Sequence, residues 1–271
     1  MWDKLKHFSK KSLVIILVLA VAALLLGGLI YSSISTDEQP PAIYRIAIDE
    51  TWYPLNLYGK EQYLTLFSEE LLGAIAVQQH FPVQLRNVGA VDLLDGIDSG
   101  KYEGALSSLV LTGRNADKYA ASDPYYLLGP VLVVSISSDI KSLNDIHGKS
   151  IGLMSRANPV EELDKFSDAH FVFYDFDDRM KLIKNVSNGF IDGMVLNMIP
   201  AYEYAKNDYY NDRLKVVSKP LNNEGLRLIA KDNKKSRKII DEFNKGLEAI
   251  KKNGVYDKLI KKWGLVNPEK L

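Results

Sequence analysis

Tyr102-Glu103-Gly104-Ala105-Leu106-Ser107-Ser108-Leu109 is a short apolar run that ends in two hydroxyls. Its length and composition predict a strand, with the serines near its carboxyl end. The same short apolar runs recur from residue 44 onward, at 44–48, 83–88, 104–109, 129–135, 150–154, 171–174, 191–196, 214–218 and 226–230. Between them, 61–79, 91–99, 159–167, 177–188, 200–207 and 234–253 carry apolar residues at three-and-four spacing, the period of a helix with one buried face. Strands alternating with helices predict an α/β sheet with crossover helices. Asn158-Pro159 followed by Glu161 and Glu162 predicts a helix start, and Asn253-Gly254 a helix end.

The chain has 271 residues, 46% hydrophobic and 25% charged, enough to bury a substantial core. Lysine plus arginine equals aspartate plus glutamate at 34 each, so charge gives no reason to expect nucleic acid as a partner. The absence of cysteine excludes disulfides, thiolate metal sites, a cysteine nucleophile and a lipidated cysteine anchor. Residues 13–31 hold no charge and are mostly Leu, Val, Ile and Ala, long enough as a helix to cross a hydrocarbon core of about 30 Å. Lys4, Lys6, Lys10 and Lys11 precede this stretch, and Asp37 and Glu38 follow it. By the positive-inside rule, 1–12 is a cytoplasmic tail, 13–31 a single-pass inner-membrane anchor, and the remainder lies in the periplasm. The alternative is secretion to the periplasm after signal cleavage, with Ser33-Ile34-Ser35 as the candidate site. The length of the apolar core favours the anchor. Residues 32–42, polar and containing Pro40-Pro41, read as a linker.

Three stretches together resemble the bacterial extracellular solute-binding proteins of family 3, which serve polar amino acid ABC importers. One is the strand quoted above, with Ser122-Asp123-Pro124-Tyr125-Tyr126 after it. Another is Ile191-Asp192-Gly193-Met194-Val195-Leu196-Asn197. The last runs from Leu247-Glu248-Ala249-Ile250-Lys251-Lys252-Asn253-Gly254-Val255-Tyr256-Asp257-Lys258 to Lys262-Trp263-Gly264. The resemblance implies a two-lobed periplasmic-binding-protein type II-like fold with two hinge crossings. Lobe 1 would be 43–128 and 220–271, and lobe 2 would be 129–219. It also implies a cleft lined by loops at the carboxyl ends of strands, as is general in open α/β sheets.

On that resemblance the ligand-binding set is Asp49, Trp52, Ser107, Ser108, Thr112, Arg114, Asn115, Arg156, Asn158 and Asn197. Trp52 stands where the family packs an aromatic on the ligand, whereas the opposing aromatic is Ala90 here; the plainer reading of Trp52 is a lobe wall. Ser107, Ser108 and Thr112 match the family's carboxylate-binding hydroxyls, although strand-end serines also satisfy their own loops. The family's arginine, three residues after the threonine, is Asn115, with Arg114 one residue earlier. Its ammonium-binding acid is Asn197, and its amide-donating loop is Arg156-Ala157. Neutralising such charged contacts removes roughly 1.5 to 3 kcal/mol each. The ligand is therefore either not an ordinary amino acid, or an anionic group is held differently by Arg114 and Arg156, or the cleft has left small solutes altogether.

His7, His80, His147 and His170 lack metal-ligand spacing and read as surface residues. Asp175, Asp177 and Asp178 read as a helix start rather than a calcium loop. No catalytic, metal or cofactor site is expected, and no phosphate loop or nucleophile elbow is present. The expected function is an anchored receptor for an amino acid or a related small polar or anionic solute, with an ABC permease or another inner-membrane protein as partner. Two alternatives stay open: a sensor or partner-binding protein that has lost the amino-acid site, and a periplasmic dehydratase-like enzyme.

Overall fold

The computed structural model describes residues 19–25, 43–52, 55, 57, 59–155, 160–206 and 213–270, with nothing assigned to the Arg114 side chain. The chain separates into two units, residues 1–42 and 43–271. In the first, residues 19–25 are helical (α1). They are the described part of the expected anchor; the rest of 13–31, the tail and the linker lie outside the described residues. Among the described residues no helix is long and apolar enough to cross a membrane.

The second unit contains strands β1 (Tyr44–Ile48), β2 (Val83–Asn87), β3 (Gly104–Ser107), β4 (Tyr119–Ala121), β5 (Tyr126–Leu127), β6 (Pro130–Ser135), β7 (Ser150–Met154), β8 (His170–Tyr174), β9 (Gly193–Asn197), β10 (Leu214–Val216) and β11 (Gly225–Lys231). Its α-helices are α2 (Glu61–Gln79), α3 (Ala90–Asp98), α4 (Arg179–Ser187), α5 (Met198–Lys206), α6 (Lys234–Lys252) and α7 (Val255–Lys262). One sheet has the order β2-β1-β3-β11-β4, with β5 also on β11; the other has the order β10-β6-β9-β7-β8. In the first, β1 runs parallel to β2 and β3, and β11 returns antiparallel to β3. In the second, β7 runs parallel to β8 and β9, while β6 is antiparallel to β9 and β10. The chain thus crosses between sheets twice, from β5 to β6 and from β10 to β11. Leu128 and Gly129 donate their N–H groups to the Glu224 carbonyl at 2.8 and 3.2 Å, which ties the crossings together. A side chain at Gly129 would run into Asn222, so the crossing needs a residue without one.

Alternation along the first sheet sorts its residues between two layers. Leu106 and Leu228, opposite one another, pack with Leu64 and Phe67 of α2 and Phe243 of α6. Ala47, Ala105 and Ile229 face Leu93 and Ile97 of α3. Helix α6 buries Ile239, Ile240, Phe243, Leu247 and Ile250, and begins where the Asn233 side chain accepts from the Ser236 N–H at 3.0 Å, a cap worth about 1 kcal/mol. Gly246 lets α6 approach α2 closely, since a Cβ there would sit 2.7 Å from Ile75.

The structure departs from the sequence reading in several elements. Among the described residues of the expected helix 159–167, which begin at 160, no α-helix forms; a 3-10 turn spans Glu161–Lys165 instead. Leu163 and Phe166, three residues apart, are both buried in the second sheet's core, and an i, i+3 pair lines up on a 3-10 turn. Strands β4 and β5 are too short to register as apolar runs. The acids Asp175 and Asp178 do precede helical turns, but neither makes a side-chain cap hydrogen bond. His80, His147 and His170 are exposed; His7 lies outside the described residues.

Candidate functional site

Register shows where the strand ends meet. Ser107, the last residue of β3, lies opposite Arg227, only two residues into β11 from the second crossing. Asn197, the last residue of β9, lies opposite Pro130, the first residue of β6 after the first crossing. The carboxyl ends of the parallel strands in both sheets therefore point toward the crossings, and so toward each other. That is the geometry of an interlobe cleft, which is where open α/β sheets bind ligands. One ion pair joins the two sides: Lys60 Nζ, just before α2, is 3.4 Å from Glu203 Oε1 on α5. Helix α5 follows directly on Asn197. Its Tyr202 packs on the main core, and burial pushes the phenol up to about 12.

The expected residues divide by how their polar groups are used. Asp49 is buried, and its carboxylate accepts from the Thr51 N–H at 3.0 Å and the Thr51 hydroxyl at 2.7 Å. Trp52 is 1% exposed, and its indole N–H donates to Thr65 Oγ1 on α2 at 3.0 Å. It holds a left-handed backbone, with φ at 54°. The ring is part of the lobe core and offers the cleft no open face. Nearby, Glu50 accepts from the Asn87 side chain at the end of β2. Burial and the Glu50 charge together raise the Glu69 carboxyl above its ordinary range.

The loop after β3 is used differently. Ser107 Oγ accepts from the Leu109 N–H at 3.0 Å, a local serine turn. Ser108 Oγ is buried and has no hydrogen-bond partner among the described residues. Thr112 is exposed at the start of the 3-10 turn Gly113–Asn115, where Asn115 is half-buried and donates its N–H to the Thr112 carbonyl at 3.1 Å. Arg114 belongs to this turn by backbone alone. In the second sheet Asn197 is exposed at its strand end. Arg156 and Asn158 lie outside the described residues, in the segment that follows Ser155 at the carboxyl end of β7.

The sequence reading did not pick out Thr65, which sits on the buried face of α2, or the Lys60 and Glu203 pair, which joins residues far apart in the chain. A pattern read along one segment carries no signal for either. A groove of about 520 Å³ lies elsewhere, along the flank of β10, lined by Lys141, Ser142, Glu162 and residues 217–221. Among the described residues none of the expected ligand-binding residues lines it, so topology and not concavity places the candidate site. Among the described residues, no cluster of acidic or histidine side chains fit to hold a metal ion is present.

The profile of the bacterial extracellular solute-binding proteins, family 3, matches residues 44–266. The arginine-binding extracellular protein ArtP of Bacillus subtilis is 26% identical over 200 residues, covering 73% of this chain and 76% of that protein. The L-cystine-binding protein TcyJ of Escherichia coli is 20% identical over 263 residues, covering 96% of this chain and 97% of its own. Among solved structures, the unliganded open L-cystine solute receptor of Neisseria gonorrhoeae superposes with a TM-score of 0.61 at 22% identity, covering 82% of this chain and 92% of the other. The second substrate-binding domain of Lactococcus lactis GlnP, in its open conformation, gives 0.58 at 24%, with 83% and 96% covered. The profile match spans nearly all of the second unit, and the chain belongs to the bacterial extracellular solute-binding proteins, family 3.

Proposed function

We propose that the chain is a membrane-anchored periplasmic receptor that takes a small polar solute, an amino acid or a related anion, into the interlobe cleft and passes it to an ABC permease. The observation that supports this reading most directly is the Ser108 hydroxyl. It is buried without a partner among the described residues, at the carboxyl end of a strand facing the second lobe, and a buried unpaired hydroxyl costs about 1 to 3 kcal/mol until something bonds it. In this reading Ser107, Ser108, Thr112, Arg114 and Asn115 contact the ligand from lobe 1, residues 43–128 and 220–271. Arg156, Asn158 and Asn197 close on it from lobe 2, residues 129–219. Asp49 and Trp52 shape the floor beneath. Closure is a hinge motion at the paired crossings.

The relatives named above are binding proteins, in keeping with a receptor rather than an enzyme. Neutral Asn115 and Asn197 favour one second reading, a partner-binding protein that keeps the fold without a solute. Thermal unfolding with arginine, cystine, glutamine and dicarboxylates separates the two. A bound solute at a hundredfold excess over its Kd stabilises the fold by about 2.7 kcal/mol. No shift with any of them, together with capture of a membrane protein, would leave only the second reading. The anchor is tested by sequencing the N-terminus of membrane-extracted protein: retention of residues 13–31 supports it, and a new terminus near residue 35 replaces it with a cleaved signal.

A further inference from the structure

The four principal strand edges of the two sheets are not alike. Edge strands in soluble proteins are blunted by charge, proline or shortness, because their free backbone groups template pairing with another chain. In the first sheet, β2 carries Gln84 and Arg86, and β4 has three residues. In the second, β10 has three residues, carries Lys215, and is followed by Lys219 and Pro220. The remaining edge, β8, reads His170-Phe171-Val172-Phe173-Tyr174, without a formal charge at neutral pH. Val172 and Phe173 are 36% and 65% exposed on its two faces, and Phe176 and Met180, in the turn and helix that follow, are 58% and 44% exposed. Together these four leave on the order of 400 Å² of apolar side chain in water, a sizeable part of the roughly 800 Å² that each partner contributes to a standard interface.

We propose that β8 is a self-association edge, pairing antiparallel with β8 of a second copy about a two-fold axis through Val172. The backbone permits this register. His170 donates its N–H inward to Lys149 and Tyr174 accepts inward from Ser155, so in the pleat the N–H and C=O groups of Phe171 and Phe173 point outward. An axis at Val172 sets Phe171 opposite the second copy's Phe173, so that each pair exchanges both backbone bonds, and Val172 meets its counterpart as a non-hydrogen-bonded pair. His170 then faces Tyr174, and Asp175 faces Ala169, so no two like charges are opposed across the pair. A surface that complements itself needs no other partner.

The chain has no cysteine, so one introduced thiol reports the contact cleanly. In the full chain in membranes, Val172→Cys is expected to form a disulfide-linked dimer on oxidation, because opposed residues of a non-hydrogen-bonded pair lie about 4.5 Å apart at Cα, within disulfide reach. Lys215→Cys on the opposite edge is the control. Sedimentation of the purified full chain in detergent should give twice the protein mass for wild type and the monomer mass for Val172→Lys, which opposes two ammonium groups on the axis. Three results overturn the proposal: Val172→Cys dimerises no more than Lys215→Cys, the Val172→Lys variant keeps the dimer mass, or Val172→Cys cross-links only to a different membrane protein. A circular-dichroism melt of Val172→Lys matching wild type shows that any loss of dimer is not unfolding.

Discussion

The loops after β1 and β3 leave parallel neighbouring strands at the same end of one sheet, yet they spend their polar groups differently. After β1, Asp49 is taken up by Thr51, and the Trp52 indole by Thr65. After β3, the Ser107 hydroxyl serves its own turn while that of Ser108 is buried with no partner among the described residues. Being at a strand end is therefore not enough to make a residue a ligand contact. A side chain whose hydrogen bonds are already made inside the fold supports the cleft, and one whose bond is unmade is where a ligand gains most.

The sharpest way to break this contrast is at Trp52. If the ring is core, Trp52→Ala should destabilise the domain by about 3 to 5 kcal/mol, read by chemical denaturation of the protein without added solute. A loss below about 1 kcal/mol, the scale of a surface change, would return Trp52 to the cleft. The next largest effect is at Thr65. Its hydroxyl donates to the Glu61 carbonyl at 3.0 Å and accepts from Trp52, so Thr65→Val keeps the shape and strands a buried indole N–H. The cost should be about 1 to 3 kcal/mol, with Thr65→Ser recovering most of it; equal loss in both variants would point to packing instead of the bond.

Most of the fold is legible in the sequence because it is written in local period. The run 44–48 and the helix 61–79 alternate or repeat over enough residues for a buried face to show, and the structure has both with those bounds. Elements whose shape is set from outside the segment are not legible. The 3-10 turn at Glu161–Lys165 is fixed by where Leu163 and Phe166 meet the sheet, and β5 exists only because β11 lies beside it. The site divides the same way. That Ser107 and Ser108 end a strand can be read from seven residues, but that one hydroxyl is satisfied and its neighbour is not depends on the fold of the loop. The indole N–H of Trp52 is satisfied by Thr65, thirteen residues away on a helix, and nothing in the local pattern around Trp52 signals it.

On the other side of the contrast, Ser108→Ala should raise the stability of the solute-free protein by about 1 to 3 kcal/mol, because it removes a buried unpaired group. Solute affinity should fall by about 0.5 to 1.5 kcal/mol, the worth of one neutral hydrogen bond. Calorimetric titration with whichever solute gives the thermal shift measures it, and unchanged affinity would detach Ser108 from the site. Asp49→Asn is the matching variant after β1 and should do the reverse, costing stability with affinity little altered.

The smallest effect tests whether the contrast belongs to the carboxyl ends alone. At the opposite ends of the same two strands, Arg45 Nη2 is 2.7 Å from Glu103 Oε1, and the Arg45 backbone N–H donates to Glu103 Oε2 at 2.8 Å. Burial pushes the Glu103 carboxyl up, but the hydrogen bonds and charge of Arg45 outweigh it and hold the group below its ordinary range. A carboxyl held lower in the folded state than in the unfolded chain stabilises the fold above its unfolded pKa, and that contribution is lost as pH falls through the folded one. Glu103→Gln should therefore flatten part of the decline in stability between about pH 5 and pH 2. At neutral pH the change should be small, since the Arg45 side chain is 43% exposed to water and such pairs are screened. Solute affinity should not change at all. If it does, the two strands transmit strain along their length, and the loops at their carboxyl ends cannot be treated as independent of what holds the other end.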